Sequence, residues 1–118
     1  MAVETVAVVG AGTMGNGIAH VFALHGYKTT LIDLDPTRLD EARDTIAQNL
    51  TRQVENDAIT SADRASALDR LSLTPDTPTG VHGVDLGVEA VPEDKALKAE
   101  VFGTLDEHAP DDAILASN

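Results

Sequence analysis

Apolar residues follow two rhythms along this chain, and each change of rhythm marks an element. Val3 to Val9 is almost uniformly apolar and β-branched, the pattern of a strand buried on both faces of a parallel sheet. From Met14 to His25 the spacing becomes helical, and Met14, Ile18, Val21, Phe22 and His25 fall on one face, the stripe by which a helix meets a core. Gly26 follows as a stop signal, and Lys28 to Asp33 reads as a second strand ending on a carboxylate. Asp35 and Pro36 supply an N-cap and a first-turn proline. Leu39, Ala42, Ile46, Leu50 and Val54 then recur at steps of three and four until Asn56-Asp57 breaks the helix. Thr60 with Asp63 forms a capping-box pattern, with Asp in place of the usual Glu or Gln. It opens a second helix through Ala65 and Leu68 toward Leu71.

The second half is shorter in rhythm. Leu71 to Thr74 predicts a short strand, and Pro75 to Gly83, rich in Pro, Thr and Gly, a loop. Asp85 to Ala90 predicts a strand in which Gly87 admits the close approach of another backbone. Pro92 and Glu93 start a helix to about His108, with Leu97, Val101 and Leu105 as its buried stripe and Phe102 beside it. Pro110-Asp111-Asp112 turns the chain into a last strand, Ala113 to Ala116. Strands alternating with helices give an α/β fold with a doubly wound parallel sheet. Two helices occupy the connection after the second strand, where one suffices. This is a helical-hairpin insertion of the kind that often touches substrate.

The candidate chemistry sits at the first turn, Gly10-Ala11-Gly12-Thr13-Met14-Gly15, between the first strand and the first helix. In a Rossmann-type domain this is where a dinucleotide binds. Gly10 permits the tight turn, Gly12 lets a pyrophosphate approach the backbone, and Gly15 lets the helix pack close to the strand. The free N–H groups of the helix start, with the positive end of its dipole, favour phosphate. Asp33, 18 residues after Gly15, stands where a carboxylate accepts hydrogen bonds from adenosine ribose hydroxyls and repels a 2′-phosphate. Leu34 rather than an arginine follows it, and Arg38 lies one turn into a helix, so NAD is expected over NADP.

Three segments extend this reading: Val-Val-Gly-Ala-Gly-Thr-Met-Gly-Asn-Gly-Ile-Ala at 8–19, Glu-Ala-Val-Pro-Glu-Asp at 89–94 followed by Lys98, and Ala-Ile-Leu-Ala-Ser-Asn at 113–118. Together, at this spacing, they resemble the NAD-binding domain of the 3-hydroxyacyl-CoA dehydrogenase family, 3-hydroxybutyryl-CoA dehydrogenases included, across the whole chain. The resemblance implies NAD-linked interconversion of (3S)-3-hydroxyacyl-CoA and 3-ketoacyl-CoA, in fatty-acid β-oxidation or hydroxybutyryl-CoA metabolism. It implies cofactor contacts at Glu93 and Lys98 in the ribose and nicotinamide region, and at Ala90 and Val91 mainly through backbone. Read without it, Glu93 is an acid favoured at a helix N-terminus, and Lys98 is its ion-pair partner or a solvated lysine. Asn49 and Asn56 match positions where family members grip coenzyme A with a polar residue and a lysine. Here no lysine lies in the insertion, and Arg52 is the nearest substitute.

In the family, the catalytic histidine and its glutamate lie beyond the segment at 113–118, as does the mostly helical domain that carries dimerisation. The chain halts at the C-terminal end of a strand without a covering helix, and so reads as cut short. The resemblance therefore predicts a cofactor-binding domain with no catalytic residue of its own, belonging to a homodimeric enzyme. Two rival readings are an NAD-dependent dehydrogenase of a hydroxy acid without CoA, and a non-catalytic dinucleotide-binding module.

Composition adds limits. At 118 residues the chain is one domain. It carries 20 acidic and 8 basic residues, a net charge of −12, which argues against nucleic-acid or anionic-membrane partners. An acidic surface with only three lysines (Lys28, Lys95, Lys98) resembles that of proteins from salt-loving cells, and equally that of an ordinary acidic enzyme. There is no cysteine, no run of about 20 apolar residues, and no secretory signal pattern, so a cytoplasmic protein is expected. His20, His25, His82 and His108 share no metal-ligand spacing, and no metal site or catalytic histidine is expected. Nor is Thr13 or Ser117 a nucleophile candidate, since no motif places a base beside either.

Overall fold

The computed structural model describes residues 3–91, 95–110 and 113–117, with backbone alone for Lys95, Ala96, Leu97, Phe102 and Ser117. Its elements are β1 (Thr5–Val9), α1 (Thr13–Leu24), β2 (Lys28–Ile32), α2 (Pro36–Glu55), α3 (Ser61–Arg70), β3 (Leu71–Thr74), α4 (Thr77–Val81), β4 (Leu86–Glu89), α5 (Lys95–His108) and β5 (Ile114–Ser117). The five strands form one parallel sheet in the order β3-β2-β1-β4-β5. The order reverses direction between β1 and β4, which is the topological switch point where such sheets bind ligands at their C-terminal ends.

The period-two alternation of β1 divides the core. Val6 and Val8 join Leu31, Leu71 and Val88 under α1, α2 and α3, while Ala7 and Val9 join Ile32, Val81, Val84 and Leu105 under α4 and α5. The insertion folds as the sequence predicts. The Asp35 carboxylate accepts the Thr37 N–H at 2.9 Å, and Leu39, Ala42, Ile46 and Leu50 are buried. Asn56 caps the end, and Asp57 turns left-handed at φ 58°. The capping box is complete: the Asp63 N–H donates to the Thr60 hydroxyl at 3.0 Å, and the Thr60 N–H donates to the Asp63 carboxylate at 2.9 Å. The Thr60 N–H, and after it the Thr60 hydroxyl, hold the Asp63 carboxyl below its ordinary range.

Four expectations change. Helix α1 fully buries Gly15, Ala19 and Ala23; of the predicted stripe only Ile18 and Phe22 pack, half-buried, against the core, and Met14 and Val21 are 55% and 54% exposed. The reason is proximity. A Cβ on Gly15 would stand 1.6 Å from the Gly10 carbonyl oxygen, so the helix sits too near the sheet for large inward side chains. His25, exposed, turns its Nδ1 to the Val21 carbonyl at 2.7 Å. Second, α3 buries Ala67 rather than the exposed Ala65, and Leu71 belongs to β3. Third, the loop expected over Pro75–Gly83 contains α4, which begins with a proline in its first turn and fits Gly80 against Ile32. Fourth, the approach at Gly87 is by side chains, with Leu115 and Leu105 at 3.1 and 3.2 Å from a Cβ there. The predicted start of α5 at Pro92-Glu93 and the turn at Asp111-Asp112 lie outside the described residues, as do the Leu97 and Phe102 side chains.

Candidate functional site

The site grows from the crowding between β1, α1 and β4. Gly10 takes φ +112° and donates its N–H to the Ile32 carbonyl at 2.7 Å. A Cβ there would strike the Ala90 carbonyl at 2.8 Å, so the turn passes directly over the end of β4. Gly12 is the opposite case: beyond its own chain neighbours, no described atom lies within 4 Å of where its Cβ would stand. It is also the N-cap of α1 and supplies no side-chain acceptor, whereas α2 and α3 are capped by Asp35 and Thr60. The first-turn N–H groups of α1 therefore face outward without a side-chain cap, beside an opening that only a glycine leaves. That combination suits an anionic group such as a diphosphate.

Asp33 follows the last residue of β2. One carboxylate oxygen accepts the Ala11 N–H at 3.0 Å, and the other accepts the Asp35 N–H at 2.9 Å. Each oxygen keeps a further lone pair for a ligand hydroxyl. These residues open on a cleft of about 560 Å³, the size of a nucleotide-binding cavity. Its walls include Val9, Gly12, Thr13, Met14, Leu34 and Pro78. Leu34 is 81% exposed, an apolar surface next to the Asp33 carboxylate.

The structure thus brings together Gly10, Gly12, Thr13, Met14, Asp33, Ala90 and Val91 around one cleft, with Ala11 and Gly15 directly behind it. Ala90 and Val91 differ from expectation in one respect. Their N–H groups are taken, by the Val9 carbonyl at 2.8 Å and by the Glu89 carboxylate at 2.6 Å, so they present carbonyls and side chains only. Glu93 lies outside the described residues. The Lys98 ammonium donates to both Glu89 oxygens at 3.2 and 3.1 Å, and Glu89 is fully buried. Glu89 is the residue that sequence reasoning missed: an acid closing an apolar strand was its only signal, and its partner stands nine residues on. By sequence Arg38 lies one turn into a helix, which argues against a place beside Asp33. Because the helix starts so soon after β2, one turn brings its guanidinium back to 3.9 Å from Asp33.

Asn49 and Asn56 are not brought together. Asn49 accepts from Arg52 at 3.2 Å and lines a second groove, of about 360 Å³, between α1 and α2 behind the glycine turn. Asn56 is the exposed cap of α2. Among the described residues, no group of three or more His, Asp or Glu side chains is placed to hold a metal ion, and no helix is long and apolar enough to cross a membrane.

Comparison with known proteins places this geometry. Residues 5–118 match the family described as 3-hydroxyacyl-CoA dehydrogenase, NAD binding domain. The chain is similar to a 3-hydroxybutyryl-CoA dehydrogenase of Mycobacterium tuberculosis, 40% identical over 118 residues, covering 99% of this chain and 41% of that protein. Its fold superposes on 3-hydroxybutyryl-CoA dehydrogenase of Escherichia coli K12 with a TM-score of 0.95 at 36% identity, over 100% of this chain and 25% of that one. For (S)-3-hydroxybutyryl-CoA dehydrogenase of Ralstonia eutropha the TM-score is 0.94 at 33% identity, over 99% of this chain and 41% of that one. The chain spans between about a quarter and two-fifths of the length of the curated relatives it matches, 24% to 41%.

Proposed function

The chain belongs to the 3-hydroxyacyl-CoA dehydrogenase family as its NAD-binding domain, and from that premise we propose that it holds the dinucleotide for an enzyme interconverting 3-hydroxyacyl-CoA and 3-ketoacyl-CoA. NAD supplies the hydride acceptor. The protein's part is to bind and orient it. The N–H groups of the α1 first turn, beside the opening at Gly12, take the pyrophosphate. The spare lone pairs of Asp33 accept the adenosine ribose hydroxyls. Leu34 and Pro78 offer an apolar wall beside them, and Ala90 and Val91 line the floor. The family resemblance assigns the nicotinamide end to Glu93 and Lys98, and the buried Glu89 carboxylate fixes the Lys98 ammonium. Asn49, with Arg52 bonded to it, and Asn56 are the residues proposed to meet coenzyme A.

The carrying observation is the uncapped start of α1 opening at Gly12 onto a cleft with Asp33 at its rim. The whole enzyme is proposed to be a cytoplasmic homodimer acting on an acyl-CoA, with its acidic surface suited to concentrated salt. Titration calorimetry of this chain with NADH tests the first step, and absence of binding at about 1 mM would reject it, since working affinities lie tighter than that. In the enzyme that contains this domain, oxidation of NADH is expected to depend on acetoacetyl-CoA. A rate that ignored the CoA ester would reject the substrate class.

A further inference from the structure

We propose that the Glu89–Lys98 ion pair beneath the floor of the cleft sets the balance of affinity between the two redox forms of the cofactor, Glu89 favouring NAD⁺ and Lys98 favouring NADH. The inference rests on the proposed cofactor reading and goes beyond it by giving these two charges opposite effects on one ligand. Glu89 is the last residue of β4 and pairs in register with Val9, the residue before the glycine turn. Its side chain is fully buried, and one oxygen accepts the Val91 N–H at 2.6 Å. The charge therefore lies directly behind Ala90 and Val91, which line the cleft. Lys98, on α5, donates to both carboxylate oxygens and keeps 18% of its side chain exposed. Glu100 and Val101, within the next turn of α5, line the same cleft.

Packing gives little reason for this pair. Taking a carboxylate and an ammonium out of water costs about as much as their attraction returns, and apolar side chains of similar volume would join strand to helix at least as well. What an ion pair adds is a field. Water and salt screen the exposed acids of this chain, but a fully buried carboxylate is screened far less. With the adenosine half proposed at Asp33 and the pyrophosphate at Gly12, a dinucleotide crossing the switch point carries its nicotinamide half past β1 toward the end of β4. The oxidised ring carries a positive charge and the reduced ring none. A carboxylate beneath the ring thus attracts the oxidised form alone, and an ammonium repels the oxidised form alone. Side by side the two charges largely cancel, so the pair favours neither form until one member is removed. Glu100 keeps its charge whichever member is changed and drops out of the comparison.

The test is the ratio of the dissociation constant for NAD⁺ to that for NADH, measured by calorimetry at one fixed pH and ionic strength. The samples are the unaltered chain, Glu89→Gln and Lys98→Met. Glu89→Gln keeps the shape and removes the negative charge. It should raise the ratio at least about threefold, since at an effective dielectric of about 20 one unit charge does that even across roughly 25 Å. Lys98→Met should lower the ratio by at least about threefold, because the Val91 N–H still favours the charged form of the carboxylate. A purely structural role would weaken both forms alike and leave the ratio in place. Circular dichroism shows whether each variant is folded, and should Glu89→Gln not fold, Lys98→Met decides alone. A shift below about threefold, or shifts of the same sign in both variants, overturns the inference. If the unaltered chain binds both forms and the ratio stands still in the variants, the cofactor reading survives and this inference falls. If neither form binds the unaltered chain, both fall.

Discussion

Gly12 and Gly15 stand three residues apart in one motif and do opposite things, and alanine separates them. Gly15→Ala places a methyl 1.6 Å from the Gly10 carbonyl oxygen, where a Cβ contact needs at least 3.0 Å. Helix and turn must part by about 1.4 Å, and both sides of the clash are backbone, so no side-chain rotation relieves it. Overpacking of this kind costs about 3 kcal/mol, a fall in Tm of roughly 10 °C for a domain of this size. Gly12→Ala meets nothing within 4 Å among the described atoms, and its φ of −75° and ψ of −170° are ordinary for alanine. Losing glycine's freedom in the unfolded chain then stabilises by about 0.4–1 kcal/mol. The same methyl stands where the pyrophosphate is proposed to approach, at the expected cost of about one charge-assisted hydrogen bond, or roughly 10- to 100-fold in NADH affinity. Thermal melts followed by NADH titration measure both quantities on the same samples. The reasoning fails if Gly12→Ala melts as early as Gly15→Ala, or if it binds NADH as the parent does.

Other expectations concern stability. Asp85 accepts the N–H groups of Glu4 and Thr5 at 2.9 and 3.2 Å and the Thr5 hydroxyl at 3.3 Å, clasping the start of β1 to β4. The bond from Glu4, then that from Thr5, holds its carboxyl below the ordinary 3.8. Since the folded pKa is depressed, this stabilisation is present above the unfolded value of about 3.9 and is lost as pH falls through the folded one. Asp85→Asn should therefore lower Tm at neutral pH and flatten its decline in acid, and parallel acid limbs for the two proteins would contradict this. Thr60→Ala removes half of the capping box at α3 and should cost about 1 kcal/mol in a urea melt; an unmoved midpoint would mean that the cap contributes nothing. With a net charge of −12, Tm should rise as KCl is increased from about 0.1 to 1 M. A flat profile would show that self-repulsion does not limit this fold.

The elements that declared themselves in the sequence are those whose local chemistry decides their structure. Asp35 caps because its side chain reaches Thr37, and Thr60 caps because Asp63 answers it three residues on; both are short-range bonds. The strand–glycine–helix unit is legible for the same reason. What escaped depends on distance in space. The inward face of α1 is set by how closely Gly15 lets it approach Gly10, so small residues turn in although the large apolar ones have the better helical pattern. Helix α4 has loop composition and is held by the fit of Gly80 under Ile32 and by burial of Val81. At the candidate site, the glycines and Asp33 could be placed by spacing alone. The Glu89–Lys98 pair spans a strand end and a helix, and the reach of Arg38 depends on the tightness of the β2–α2 junction, so neither has a sequence period to betray it.

Asp33 has a consequence for how this domain can change over generations. Its two oxygens hold the Ala11 and Asp35 amides, so the residue proposed to receive the ribose is also a clasp joining the glycine turn to the start of α2. A substitution there alters nucleotide choice and architecture at one stroke, and the second effect is harmful whatever the first achieves. Leu34 and Arg38 carry no such double duty in the scaffold. A lineage drifting toward another nucleotide would meet less resistance by altering these neighbours first, leaving the aspartate as the last piece to move.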